Sequence, residues 1–154
     1  MGETTRADYE KCEVRTAKLD TLKPYSFVVN FARYQGKWLY CRAKTRDCYE
    51  TAGGGVEPGE SPIEAAKREL YEETGAGDYA ITPAFDYSVH IPGADSYGQV
   101  FFAQIHELGD MPDFEMAEVR LLDGLPDKMR FPAILPVLYE QMQIWLGERQ
   151  QKLC

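Results

Sequence analysis

Short runs in which β-branched and aromatic residues alternate with polar ones dominate this chain, and a helical period interrupts them once in the middle and once at the end. Tyr25 to Tyr34 and Lys37 to Lys44 are two such runs around Gln35-Gly36, which predicts a hairpin. Tyr49 to Ala52 predicts a short extended piece feeding Gly53, Gly54 and Gly55, and Pro58-Gly59 turns the chain again. From Ser61 the period changes. At about 100° per residue Ile63, Ala66 and Leu70 share one face, with Ser61 as N-cap, Pro62 at the first helical position and Glu64 placed to close a capping box. The expected helix runs from Pro62 to Thr74 and stops at Gly75. Tyr79 to Ile91 and Tyr97 to Leu108 predict a second strand pair joined by a turn over Pro92 to Ser96, and Glu115 to Asp123 a further short strand. A closing helix is expected over about 132–150, with Pro136 in its first turn and Leu138, Met142 and Trp145 among its apolar positions. The first twenty or so residues read as a tail or edge strand. This order of strands, helix, strands and helix predicts an α/β (α+β) class, a mixed sheet flanked by helices in one domain over 1–154.

Composition narrows the function classes. With 154 residues and 44% hydrophobic content the chain can bury one core. It shows no early basic segment followed by an apolar stretch and no apolar run of the roughly 18 residues a membrane span needs, so a soluble, cytoplasmic protein with no membrane partner is expected. Cys12, Cys41, Cys48 and Cys154 form no Cys-x-x-Cys pair, which points to thiols rather than to a disulfide framework or zinc site. Seventeen basic residues against 25 acidic ones give a net charge of -8, with no basic stripe. Nucleic acid gripped by its backbone is disfavoured, because that mode needs clustered Lys and Arg. If the ligand is a polyphosphate, divalent metal ions are the obvious source of positive charge.

The middle helix carries the chemistry. Glu69, Glu72 and Glu73 lie three and four residues apart, on adjacent turns, where their carboxylates converge. Two carboxylates about 4 Å apart repel by about 4 kcal/mol at an effective dielectric near 20. Three together call for a cation, and an all-oxygen, strongly negative donor set selects a hard ion, Mg²⁺ with Mn²⁺ as a substitute. Around them the chain reads Gly54, five residues, Glu60, seven residues, Arg68-Glu69-Leu70, one residue, Glu72-Glu73, one residue, Gly75, then Ala76. This spacing resembles the Nudix box of the Nudix hydrolases. It departs from the signature only at Ala76, where that family prefers Ile, Leu or Val, and Ala52 stands where many members have proline.

The resemblance implies an α/β/α sandwich in which the box forms a loop, helix and loop against one end of the sheet. It implies a Mg²⁺ site held by the Gly53 carbonyl and by Glu69, Glu72 and Glu73, with Glu69 the favoured base for the attacking water, Arg68 orienting the carboxylates and Glu60 bracing Arg68. A further acidic residue beyond the box often completes the site in that family, and Glu118 fits this place, with Glu115 as its competitor. Arg42, Lys44 and Arg46 are candidates for substrate phosphate, against the reading of a solvated strand end. Tyr25, Phe27, Phe31, Tyr87 and Tyr97 are candidates for a base-stacking platform, against the reading of core aromatics. His90 and His106 have no ligand-spaced partners, and no Gly-x-Ser-x-Gly, Walker or His-Glu-x-x-His motif competes. The expected activity is pyrophosphohydrolysis of a small nucleotide, a nucleoside diphosphate linked to X, foremost an ordinary or oxidised nucleoside triphosphate. ADP-ribose, dinucleoside polyphosphates, sugar nucleotides and capped RNA are rival substrates. An isopentenyl diphosphate isomerase is a further rival whose cysteine motif has no match here. A non-catalytic nucleotide-sensing module is the rival outside enzymology.

Overall fold

A computed structural model describes residues 11–153, without the side chains of the last two of these. Its strands are β1 (Glu13–Ala17), β2 (Phe27–Tyr34), β3 (Lys37–Ala43), β4 (Ala52–Gly55), β5 (Ala76–Ile91), β6 (Ala94–Leu108) and β7 (Met116–Leu122). Two helices accompany them, α1 (Pro62–Thr74) between β4 and β5, and α2 (Leu135–Leu153) after β7. The strands form one seven-stranded sheet in the order β1-β5-β6-β2-β3-β7, with β4 paired beside β2. β2 and β6 run parallel and the other pairs antiparallel, so the sheet is mixed as expected.

The β2–β3 hairpin closes through Gln35 and Gly36, with φ of 52° and 78°. Two successive positive φ values match the right-handed twist of the strands and suit a small second residue. β6 is longer than expected at the turn it shares with β5, and β5 starts earlier than expected, at Ala76. Ala94 to Ser96 look turn-like in sequence, but they pair with Ile91 to Val89, leaving Pro92-Gly93 as the turn. β4 also differs from expectation. Its glycines have little strand propensity, yet Gly53 to Gly55 pair with Val29 to Phe27, so a segment expected as loop is a strand set by its neighbour. α2 begins at Leu135, later than the expected 132, after a turn over Pro132 to Ile134.

Alternation along β2 and β3 divides the interior into two layers. On one face Phe31, Trp38 and Tyr40 pack with Leu135, Leu138 and Met142 of α2. On the other, Leu39, Cys41 and Ala43 pack with Leu70 of α1, while Val28 and Phe101 meet Ala65 and Ala66. Leu70 is fully buried, and truncating it to alanine would cost about 2–5 kcal/mol. Ala52 and Ala76, the two departures from the resembled signature, are buried in this second layer. A helix on each face of the sheet makes the α/β/α sandwich. Among the described residues no helix is long and apolar enough to cross a membrane.

Candidate active site

α1 begins and ends where the local code puts it. Ser61 is extended at φ -78° and ψ 160°, its Oγ accepts from the Glu64 N–H at 3.3 Å, and Pro62 takes the first helical position. At the other end the Gly75 N–H donates to Tyr71 O from a left-handed residue, φ 81°. The helix therefore presents its carboxylates in a fixed phase against β4.

Arg68 sits at the centre of that arrangement. Its Nε donates to Glu60 Oε2 at 2.8 Å and its Nη2 to Glu60 Oε1 at 3.0 Å, a two-pronged contact. Nη1 donates to Glu69 Oε1 at 2.8 Å and lies 3.5 Å from Glu72 Oε2, and Nη2 also reaches Gly55 O at 3.0 Å. Arg68 thus links the loop carboxylate Glu60 to the helix carboxylates Glu69 and Glu72. The Glu60 contact drives the Arg68 pKa further up, and the guanidinium in turn holds Glu60 below the usual carboxylate range.

Glu69, Glu72 and Glu73 stand together beside the glycine strand. A Cβ added at Gly54 would lie 2.6 Å from Glu69 Oε1, so only glycine lets the strand pass this close to the carboxylate. Glu73 is buried, accepts from the Gly53 N–H at 3.3 Å and takes the Cys41 thiol on its other oxygen at 3.4 Å. Burial first, then the adjoining Glu69 and Glu50 carboxylates, push its pKa well above the carboxylate range. Burial and Glu69 also raise Glu72. Among the described residues no three Asp, Glu, His or Cys side chains already stand as a ready cage. The donor set nonetheless fits a hard divalent cation, since buried Glu73 and half-buried Glu69 and Glu72 are neighbouring oxygen donors whose close guanidinium, Arg68, is shared with Glu60. Glu69, Glu72, Glu73 and the Gly53 carbonyl are the groups that would hold one.

Sequence reading missed Glu50. It pairs with Cys41 through Cys41 N to Glu50 O at 2.8 Å and Glu50 N to Cys41 O at 2.9 Å. Directly opposed residues of an antiparallel pair project to the same face, so Glu50 joins Cys41 and Glu73 on the α1 side. Arg130 Nη1 donates to both Glu50 oxygens, at 3.0 and 3.1 Å. Burial still outweighs that arginine and keeps the Glu50 pKa raised. An acidic residue three positions before Gly53 carries no spacing signal of its own, and its partner lies 80 residues away.

Glu118 does not join this cluster. Val119 pairs with Cys41 and Glu118 with Arg42, which turns Glu118 and Arg42 to the α2 face. There Glu118 accepts from Arg42 Nε at 3.1 Å and from the Tyr49 hydroxyl, and these contacts, Tyr49 first, hold its pKa down. Glu118, expected to complete the metal site, thus stands apart from the box carboxylates in this structure, its charge met by Arg42 and Tyr49. The competitor Glu115 is exposed and near enough to raise the Glu50 pKa slightly. Of the substrate candidates, Arg42 is tied to Glu118 and to the carbonyls of Ala43 and Arg46, and Lys44 pairs with Asp113.

Lys44 and Arg46 line a cavity of about 980 Å³ that runs from Gly53–Gly55 to the start of α2. Phe27, Tyr87 and Phe131 supply aromatic wall and Glu50 and Arg130 its charged side. Of the other aromatic candidates, Phe31 is in the core and the Tyr25 hydroxyl donates to buried Asp86 at 2.6 Å. His90 is engaged by Ser88 at 2.9 Å and by Asp95 at 2.7 Å.

This geometry agrees with what the chain resembles. The NUDIX domain family matches residues 23–125, and the chain belongs to that family. It is 37% identical over 98 residues to a Bacillus subtilis (strain 168) protein provisionally named an 8-oxo-dGTP diphosphatase, covering 63% of this chain and 61% of that one. It is 46% identical over 43 residues to an RNA pyrophosphohydrolase of Photorhabdus laumondii, covering 28% of this chain and 24% of that one. The chain thus spans less than two thirds of the length of either curated relative. The crystal structure of a Bacillus subtilis pyrophosphohydrolase superposes with a TM-score of 0.74 at 28% identity, over 94% of both chains.

Proposed function

We propose that this chain is a Mg²⁺-dependent pyrophosphohydrolase of a nucleoside diphosphate linked to X, with an ordinary or oxidised nucleoside triphosphate as substrate and a monophosphate and pyrophosphate as products. One observation carries the reading: Glu69 and Glu73 reach Gly54 and Gly53, with Glu72 beside them, and those glycines line a cavity sized for a nucleotide. Bound divalent cation would polarise phosphate oxygens and stabilise charge on the leaving phosphate. The residues of this chain do the rest. Glu69, oriented by Arg68, is placed to take a proton from water attacking phosphorus, while Glu60 keeps Arg68 in register. The glycine strand, bare of side chains, lets a phosphate chain lie against the carboxylates while the nucleoside enters the cavity, where Phe27 and Phe131 offer apolar surface. The name of the Bacillus subtilis relative supports a triphosphate substrate.

A second reading, a polyphosphorylated RNA 5′ end, draws support from the likeness to an RNA pyrophosphohydrolase. The net charge of -8 stands against it. The test is product mass and pyrophosphate release from ordinary and oxidised nucleoside triphosphates, ADP-ribose, dinucleoside polyphosphates and triphosphorylated RNA, with and without Mg²⁺. Monophosphate plus pyrophosphate from one triphosphate, dependent on Mg²⁺, is the expected result. Turnover of the RNA alone would move the assignment to the second reading, and turnover of nothing would remove the enzyme reading.

A further inference from the structure

We infer that Arg130 is a substrate-contacting residue that binds the polyphosphate chain, held ready for it by Glu50. The inference rests on the proposed hydrolase reading for its choice of ligand and on position for its choice of residue. Arg130 lies beyond the 23–125 segment that matches the family, on the stretch between β7 and α2. Backbone pairing fixes where it points. Tyr49 N donates to Lys128 O at 2.8 Å and Arg130 N to Tyr49 O at 2.9 Å, a parallel bridge that sets Met129 beside Tyr49. Met129 and Tyr49 both pack in the α2-side cluster, so Arg130 turns away from it, toward Glu50.

The basic residues around the site are not equivalent. Arg68 spends all three of its nitrogens on Glu60, Glu69 and Gly55 O, and releasing it would dismantle the box. Arg42 is consumed across the sheet by Glu118 and two carbonyls. Lys44 is drawn outward to Asp113. Among the described residues both hydrogen bonds of Arg130 leave from one nitrogen, Nη1, and its guanidinium lies 4.7 Å from the ring centre of Phe131. That leaves the Nε and Nη2 edge of a cavity-lining guanidinium, the edge that matches two phosphate oxygens. Glu50 and the Phe131 ring fix the fork before the ligand arrives, which lowers the ordering cost of binding. In a chain of net charge -8, with Glu50 on the cavity wall and Glu69 and Glu73 beside its glycines, an arginine so placed also offsets repulsion of the incoming anion.

The test uses binding as well as turnover. Inorganic pyrophosphate and an α,β-methylene nucleoside triphosphate are titrated calorimetrically, in Mg²⁺, into the wild-type protein, Arg130→Met and Arg130→Lys. Because removing Arg130 strands the Glu50 carboxylate, the double variant Arg130→Met/Glu50→Gln is measured too, and it decides the matter if Arg130→Met does not fold by circular dichroism. Arg130→Met and the double variant are expected to bind both probes about 10- to 100-fold more weakly, the range of a lost charge-assisted contact. Arg130→Lys should recover part of the loss, and Mn²⁺ affinity of Arg130→Met should stay within about twofold. Unchanged pyrophosphate affinity, a loss confined to the nucleotide, or no binding of either probe by the wild type would overturn the inference. Turnover of a nucleotide by Arg130→Met with unchanged KM would overturn it and leave the hydrolase reading standing. The expected binding losses without turnover of any substrate would do the reverse.

Discussion

The two faces of the sheet treat the same kind of residue in opposite ways. On the α2 face Glu118 meets Arg42 and Tyr49, is neutralised, and has its pKa lowered. On the α1 face Glu73 is buried, Glu50 and Glu72 are half-buried, and all three have theirs raised, Arg130 notwithstanding. A carboxylate's place in the sequence therefore does not by itself mark it as a candidate ligand. What distinguishes a ligand is a charge that its protein neighbours leave unmet, and the faces differ in that alone.

The sharpest way to break the comparison is to substitute across it. Glu69→Gln and Glu72→Gln should each lower Mg²⁺-dependent turnover by about 10²- to 10⁴-fold, the range of a lost catalytic carboxylate, while Glu118→Gln stays within a few-fold in the same assay. Equal losses in all three would erase the distinction. Gly54→Ala comes next. Its Cβ, 2.6 Å from Glu69 Oε1, must push that carboxylate aside, and a displacement near 1 Å is expected to cost about 10²-fold in kcat with the fold retained by circular dichroism.

Acid titration of the cation-free protein sharpens the contrast. The lowered carboxyls, Glu60 and Glu118, contribute stability that is present above their ordinary pKa near 4.5 and lost as pH falls through their folded values. The raised ones, Glu50, Glu72 and Glu73, act oppositely, because above about 4.5 the unfolded chain releases protons that the folded one keeps. Thermal stability should therefore decline from pH 5 upward, and Mg²⁺ should flatten the decline. A Tm that climbs over that interval without cation would count against the raised set. The smallest effect expected is that of Ser61→Ala, about 1 kcal/mol in urea unfolding from the lost cap.

Legibility followed the range of the forces involved. α1 was readable to its end residues because Ser61, Pro62, Glu64 and Gly75 set it locally. The Arg68–Glu60 contact was equally readable, since its two residues belong to one spaced motif. β4 was not, because its glycines become a strand only through β2. Nor was the fate of Glu118, which depends on Tyr49 and on register with β3, or the union of Glu50 with Arg130 across 80 positions. Strand alternation predicts that two faces exist. Which face a given carboxylate occupies, and who else is there, is decided by pairing between distant segments.

On the proposed reading, a divalent cation would be held on the α1 face by the box carboxylates and without Glu118. Titration of Mn²⁺ followed by electron paramagnetic resonance, on the wild type, Glu73→Gln and Glu118→Gln, tests it directly. The account predicts binding by the wild type and Glu118→Gln with affinities within about twofold of each other, and at least tenfold weaker binding by Glu73→Gln. A Glu118→Gln protein that loses Mn²⁺ while Glu73→Gln retains it would contradict the account.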